Sequence, residues 1–316
     1  MYLHEDREQF ADAVRKSVQH TNMSEMIIEK DYYVTMILRL LSQKLPYVVF
    51  KGGTSLSKCH RVIKRFSEDI DITIDTSLSQ GEKKKLKYVL VDIAEELGMN
   101  ISNLEDTRSR RDYNRYQIEY KSAFEIGEIS MSSFVLVETS FTAVSFPTVM
   151  MAVTNYIGGV MEEEAPEMIG EYHIEPFEMK VQGLDRTLTD KVFALCDYYL
   201  QNRIKKHSRH IYDIYKLLPL VEMDESFKRL VEEVRAVRKC SNICPSAQDD
   251  VDIPALLQLI TEQEIYKDDY QNLTEALLEE DVSYETAVQA VEKIRVSGIV
   301  LKTTLNNSMY CYILHV

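Results

Sequence analysis

The chain has 316 residues, 45% apolar and 28% charged, with ten glycines and seven prolines, which excludes collagen-like, low-complexity and disordered classes and leaves room for two domains. Its 37 Lys and Arg against 51 Asp and Glu give a formal charge of −14, so the overall field repels polyanions. Any nucleic acid or nucleotide must be met by a local basic pocket or a metal ion.

The first residues, MYLHEDREQF, have neither a cationic start nor an apolar signal core, and no run approaches the roughly 18 apolar residues of a membrane span. A cytoplasmic protein with no membrane partner is expected. Five scattered cysteines do not suggest a disulfide framework. Cys240 and Cys244 with His207 and His210 fit zinc-site spacing poorly, and the cysteines read as free thiols.

Residues 3–20 and 24–44 carry apolar side chains at helical spacing, with Ser24 as a fresh N-cap. Residues 47–50, YVVF, read as a buried strand running into the Lys51-Gly52-Gly53 turn. A helix is expected from Thr54 to about Ile63. Residues 68–75, EDIDITID, alternate strictly: Asp69, Asp71, Thr73 and Asp75 on one face, Ile70, Ile72 and Ile74 on the other. A helix over 79–98 ends at a glycine, and period-two segments at 116–120, 126–131 and 134–142 read as further strands. Residues 155–180, with Gly158, Gly159 and Gly170 and with Pro166 and Pro176, are the expected hinge. From Leu188 onward the pattern is helical, over 188–204, 208–218, 224–238, 253–265, 268–279 and 283–296, while 298–316 has no assignable pattern.

The chemistry concentrates in residues 51–75, KGGTSLSKCHRVIKRFSEDIDITID. Glycines at 52 and 53 let a backbone approach phosphate closely, and the helix start behind them offers free N–H groups, with the Ser55 hydroxyl beside them. Asp69 and Asp71 project side by side, and a divalent cation would relieve their repulsion. Mg2+ suits such a pair, because it takes one or two carboxylates together with substrate phosphates. Glu138, in FVLVETSF, is placed to be a third acid if its strand lies beside the Asp-x-Asp strand. Lys191 is read in the first turn of its helix, where ammonium and helix dipole would face one anion. Asp213 sits in an apolar, aromatic setting where a carboxylate needs a partner, Arg209 or Lys216 being the nearest in sequence. Two basic clusters, Lys58, Arg61, Lys64, Arg65 and Arg203, Lys205, Lys206, Arg209, are either solvated faces or a nucleic-acid groove.

The Gly-Gly-Thr-Ser turn followed by Asp-x-Asp resembles the nucleotidyltransferase superfamily of the DNA polymerase β type. More narrowly, KGGTSLSK with RFSEDIDI resembles the AbiEii/AbiGii-type toxins of type IV toxin–antitoxin and abortive-infection systems, as do IIEKDYYV (27–34), LTDKVFAL (188–195) and RHIYDIYKL (209–217). The resemblance implies an α+β fold, a mixed sheet flanked by helices and then a helical bundle, divided here as residues 1–180 and 181–316. It implies that Asp69 and Asp71 ligate Mg2+ (or Mn2+), with Glu138 or Asp75 as a third acid. It places Lys51, Gly52, Gly53, Thr54, Ser55, Lys58, Arg65 and Lys191 with the NTP, Ser67 beside the Asp pair, and Asp213 near the transfer centre. The activity implied is transfer of an NMP from NTP to an acceptor such as tRNA, with growth arrest as the outcome and a cognate antitoxin as partner. A small-molecule acceptor, as in antibiotic-modifying enzymes, and an inactive NTP-binding module are the alternatives.

Overall fold

The computed structural model describes residues 1–21, 23–75, 78–124, 133–141, 145–241 and 243–299. They form two compact units, one from residues 1–60 and 67–181, the other from 61–66 and the chain after 181.

The first unit opens with α1 (Arg7–Thr21) and α2 (Glu25–Lys44), the latter capped by Ser24, whose side chain accepts from the Ile27 N–H at 3.4 Å. α2 is buried without interruption from Tyr32 to Leu41, as expected of a helix apolar on all sides. Then come β1 (Val48–Lys51), α3 (Gly52–Lys58), β2 (Ile70–Ile74), α4 (Gln80–Glu96), β3 (Asn100–Ile101), β4 (Tyr113–Glu119), β5 (Phe134–Ser140), β6 (Thr148–Val153), α5 (Tyr156–Glu164), α6 (Glu167–Glu171) and β7 (Phe177–Gln182). The strands build one mixed seven-stranded sheet in the order β3-β4-β5-β2-β1-β7-β6. β2 is antiparallel to β1 and parallel to β5, and its Ile70, Ile72 and Ile74 are buried as the alternation requires.

The helix after the glycine turn is shorter than its pattern suggests. It ends at Lys58, and Arg61 takes a left-handed φ of 56°, after which residues 61–66 leave for the second unit. The expected hinge at 155–180 folds as α5, α6 and β7, and the β6 and β7 strands have no counterpart in the sequence reading. The expected strand at 126–131, Thr142 at the end of the next, and residues 300–316 lie outside the described residues.

The second unit is helical: α7 (Leu184–Leu200), α8 (Arg209–Leu217), α9 (Glu225–Lys239), α10 (Ile253–Glu262), α11 (Lys267–Asp269) and α12 (Tyr284–Ser297). The helix expected over 268–279 breaks into α11, a π turn and a 3-10 turn, Tyr270–Thr274 and Glu275–Leu277. The cause is backbone pairing with the returning segment: Phe66 N–H donates to Leu277 O at 3.3 Å and Glu279 N–H to Lys64 O at 2.9 Å. Among the described residues no helix is long and apolar enough to cross a membrane.

Candidate active site

In the first unit the acids meet across the sheet. Lys51 on β1 pairs with Asp71 on β2, Asp71 with Glu138 on β5, and Glu138 with Arg115 on β4. Directly opposed residues share a sheet face, so four neighbouring strands present one cation–acid–acid–cation row. Asp69 immediately precedes β2 and, like Asp71, is half-buried on the side away from buried Ile70. Glu138 is thus beside the Asp-x-Asp strand, and it is also held by Arg115, whose Nε lies 3.0 Å from Oε1. Burial first and Glu138 second push the Tyr113 hydroxyl up, so it stays protonated next to that row. Asp75, further along β2, is committed to an ion pair with Lys180.

Gly52 explains itself in this geometry. Its φ is +81°, and a Cβ there would stand 2.0 Å from Asp71 Oδ2. The glycine therefore makes room for the neighbouring carboxylate, besides whatever room a phosphate needs. Within α3, the buried Ser55 hydroxyl donates to Gly52 O at 2.9 Å, pinning the turn. The hydroxyls of buried Thr54 and of Ser67 lie 2.9 Å apart, which anchors the chain two residues before Asp69.

Three consecutive charges on α2 brace the same region, in roles that periodicity did not reveal. The Glu29 carboxylate accepts from Ser122 Oγ at 2.6 Å and from Ala123 N–H at 2.7 Å, and burial raises its pKa against those bonds. Lys30, buried, lies 2.6 Å from Glu68, the residue before Asp69. Asp31 pairs with Lys58 and accepts from Tyr156 N–H at 3.0 Å. Lys58, expected at the nucleotide, is thereby engaged with α2. The signal was charge itself: three ionisable residues inside an apolar helix must each have a partner.

The donor set fits a hard divalent cation of the Mg2+ kind. Asp69 and Asp71 supply only oxygen ligands, and the missing Gly52 side chain leaves the Asp71 carboxylate its space. Among the described residues no three His, Cys, Asp or Glu form a cage for an ion. Two carboxylates completed by substrate phosphates are the usual Mg2+ arrangement.

In the second unit Lys191 and Asp213 come together around Arg65. Arg65 donates from Nε to Asp213 Oδ1 at 2.7 Å and from Nη2 to Oδ2 at 2.9 Å, and Lys191 Nζ stands 2.7 Å from Oδ2. Asp213 is 0% exposed, Arg65 3% and Lys191 7%. Burial alone would raise the Asp213 carboxyl, but Arg65 and Lys191 together hold it well below the carboxylate range. Asp213 thus pairs with these two, whereas Lys216 is taken by Glu280 at 2.7 Å. Lys191 is not at its helix end: α7 begins at Leu184 behind Gly183, which puts Lys191 two turns in. Of the basic clusters, Arg61, Lys64, Arg203, Lys205 and Lys206 are exposed, while Arg65 is interior. Among the described residues Cys59, Cys196, Cys240 and Cys244 form no disulfide.

The profile of the family described as nucleotidyl transferase AbiEii toxin, type IV TA system, matches residues 37–292. Among solved structures, the chain is similar in fold to the nucleotidyltransferase toxin MenT4 from Mycobacterium tuberculosis H37Rv, at 18% identity and a TM-score of 0.53, covering 95% of this chain and 90% of that one. No curated protein matches.

Proposed function

The chain belongs to the AbiEii nucleotidyltransferase toxin family, and from that premise we propose that it is a Mg2+-dependent enzyme moving an NMP from NTP onto an RNA acceptor, with tRNA the leading candidate and a cognate antitoxin as its partner. The observation that carries this reading is the half-buried Asp69 and Asp71 pair, with Asp71 set in register between Lys51 and Glu138 and Gly52 cleared of a side chain against it.

Asp69 and Asp71 would hold Mg2+, or Mn2+ in its place, which supplies charge neutralisation on the phosphates. The Gly52–Ser55 turn binds the phosphates. The acceptor hydroxyl oxygen forms a bond to the α-phosphorus as the bond to the α–β bridging oxygen breaks, and pyrophosphate leaves with that electron pair. The hydroxyl proton passes to a carboxylate of the strand row, Asp71 or Glu138. Asp213 is a poor base, because two cations keep its pKa low; it positions Lys191 and Arg65 instead. Exposed Arg203, Lys205 and Lys206 support a polyanionic acceptor in a chain that is otherwise acidic.

The test is incubation with each labelled NTP, Mg2+ and total bacterial RNA. Label on RNA is expected. Pyrophosphate release without labelled RNA would point to a small-molecule acceptor, and NTP binding without release to an inactive module.

A further inference from the structure

His210 stands in the first turn of α8, three residues before Asp213 and so on the same helix face, and is only 9% exposed. Neither ring nitrogen has a hydrogen-bond partner among the described residues. The Ser208 hydroxyl, two residues before it, lies 2.7 Å from that of Thr274, and Asp213 is met by both Arg65 and Lys191, while Nδ1 of His207, across Tyr198, also lacks a partner among the described residues. His210 differs in that both of its ring nitrogens are unserved. The ring lies parallel to Tyr198, with centroids 5.5 Å apart and planes within 8°, and Tyr198 stacks in turn on His207 at 3.5 Å. Ring nitrogens lie in the ring plane, so this stacking fixes their directions without using them.

The charges beside it do not balance. Arg65 and Lys191 are two cations on one carboxylate, which leaves a buried surplus of positive charge, and the Lys191 ammonium carries three donors. The amino end of α8 also favours negative charge. Burial, with Lys191 beside it, keeps the imidazole neutral, so it offers one N–H donor.

We propose that His210 and Lys191 together bind the phosphate tail of the nucleotide, the imidazole N–H donating to a non-bridging phosphate oxygen. This rests on the reading of the chain as an NTP-using transferase and adds to it a specific second donor. An anion there takes up the surplus charge and the idle donor at once.

The experiment is calorimetric titration of tripolyphosphate into the full chain and its His210→Phe and His210→Gln variants, with folding checked by circular dichroism. Phe is expected to weaken binding about tenfold, whereas Gln, which keeps an N–H, stays within about threefold of wild type. Binding by His210→Phe equal to wild type overturns the inference, and so does a loss confined to an RNA oligonucleotide without a triphosphate. If the Phe variant does not fold, histidine nitrogen resonances of the wild-type chain decide: tripolyphosphate must move those of His210, and unmoved resonances overturn the inference. Pyrophosphate release from NTP is measured separately. His210-dependent tripolyphosphate binding without release upholds this site and removes the transfer reading; release with binding indifferent to His210 does the reverse.

Discussion

Arg65 grips Asp213 with two parallel hydrogen bonds across 148 residues of sequence. Residues 61–66, Arg65 among them, fold with the helical unit, so the stretch between the glycine turn and the Asp-x-Asp strand is tied there by a buried charge pair. Removing one partner leaves the other unpaired inside the protein, which costs about 3–5 kcal/mol. Asp213→Asn and Arg65→Met are expected to lower unfolding free energy by that amount in urea titrations. Inactivity of an Asp213 variant therefore reports on folding before it reports on chemistry.

The same carboxylate gives a pH signature. Its folded-state pKa is depressed below the unfolded value of about 4, so the stabilisation is fully present above that value and is lost as pH falls below it. Urea midpoints of the wild-type chain are expected to fall on acidification below about pH 4, with a shallower fall in Asp213→Asn.

His207 contributes at higher pH. Burial, with Arg209 and Arg203 beside it, lowers its pKa to about 4, so protonation favours the unfolded chain as pH drops from its ordinary value towards 4. Stability is expected to decline through that window, and His207→Asn should remove part of the slope.

Much of this was legible in the sequence, and the parts that were not have physical causes. The alternation of residues 68–75 announced the acid-bearing strand because its isoleucines must be buried while the aspartates need not be. Strand character alone places Glu138 beside the Asp-x-Asp strand, and β5 does pair with β2. The helix expected to run to about Ile63 stops at Lys58; the local pattern cannot show that Arg65 is needed by Asp213. β6 and β7 went unseen because glycines and prolines nearby looked like a linker. The braces at Glu29, Lys30 and Asp31 reach residues distant in sequence, so charge within an apolar helix, in a segment that resembles the family, is their visible trace but names no partner.

Gly52→Ala should behave as an indirect loss of Asp71. The new Cβ overlaps the carboxylate at 2.0 Å and the residue keeps a left-handed φ, a strain of about 1–2 kcal/mol. Transfer is expected to fall at least about a hundredfold, on the scale of a lost charge-stabilising contact, while the chain still folds by circular dichroism.

Lys30→Met should loosen Glu68 and the strand start behind it. A fall in kcat of roughly tenfold with little change in NTP KM is expected, from misplacement and not from lost binding. Lys30→Arg, which keeps the charge, should recover most of it.

The most direct test is pyrophosphate release from NTP by the wild-type chain and by Asp69→Asn, Asp71→Asn and Asp75→Asn, with Mg2+ and RNA present. Release is expected to vanish in the first two variants and to persist in Asp75→Asn, whose acid is paired with Lys180. Wild-type release from Asp69→Asn and Asp71→Asn would contradict the assignment of these two carboxylates to the chemistry.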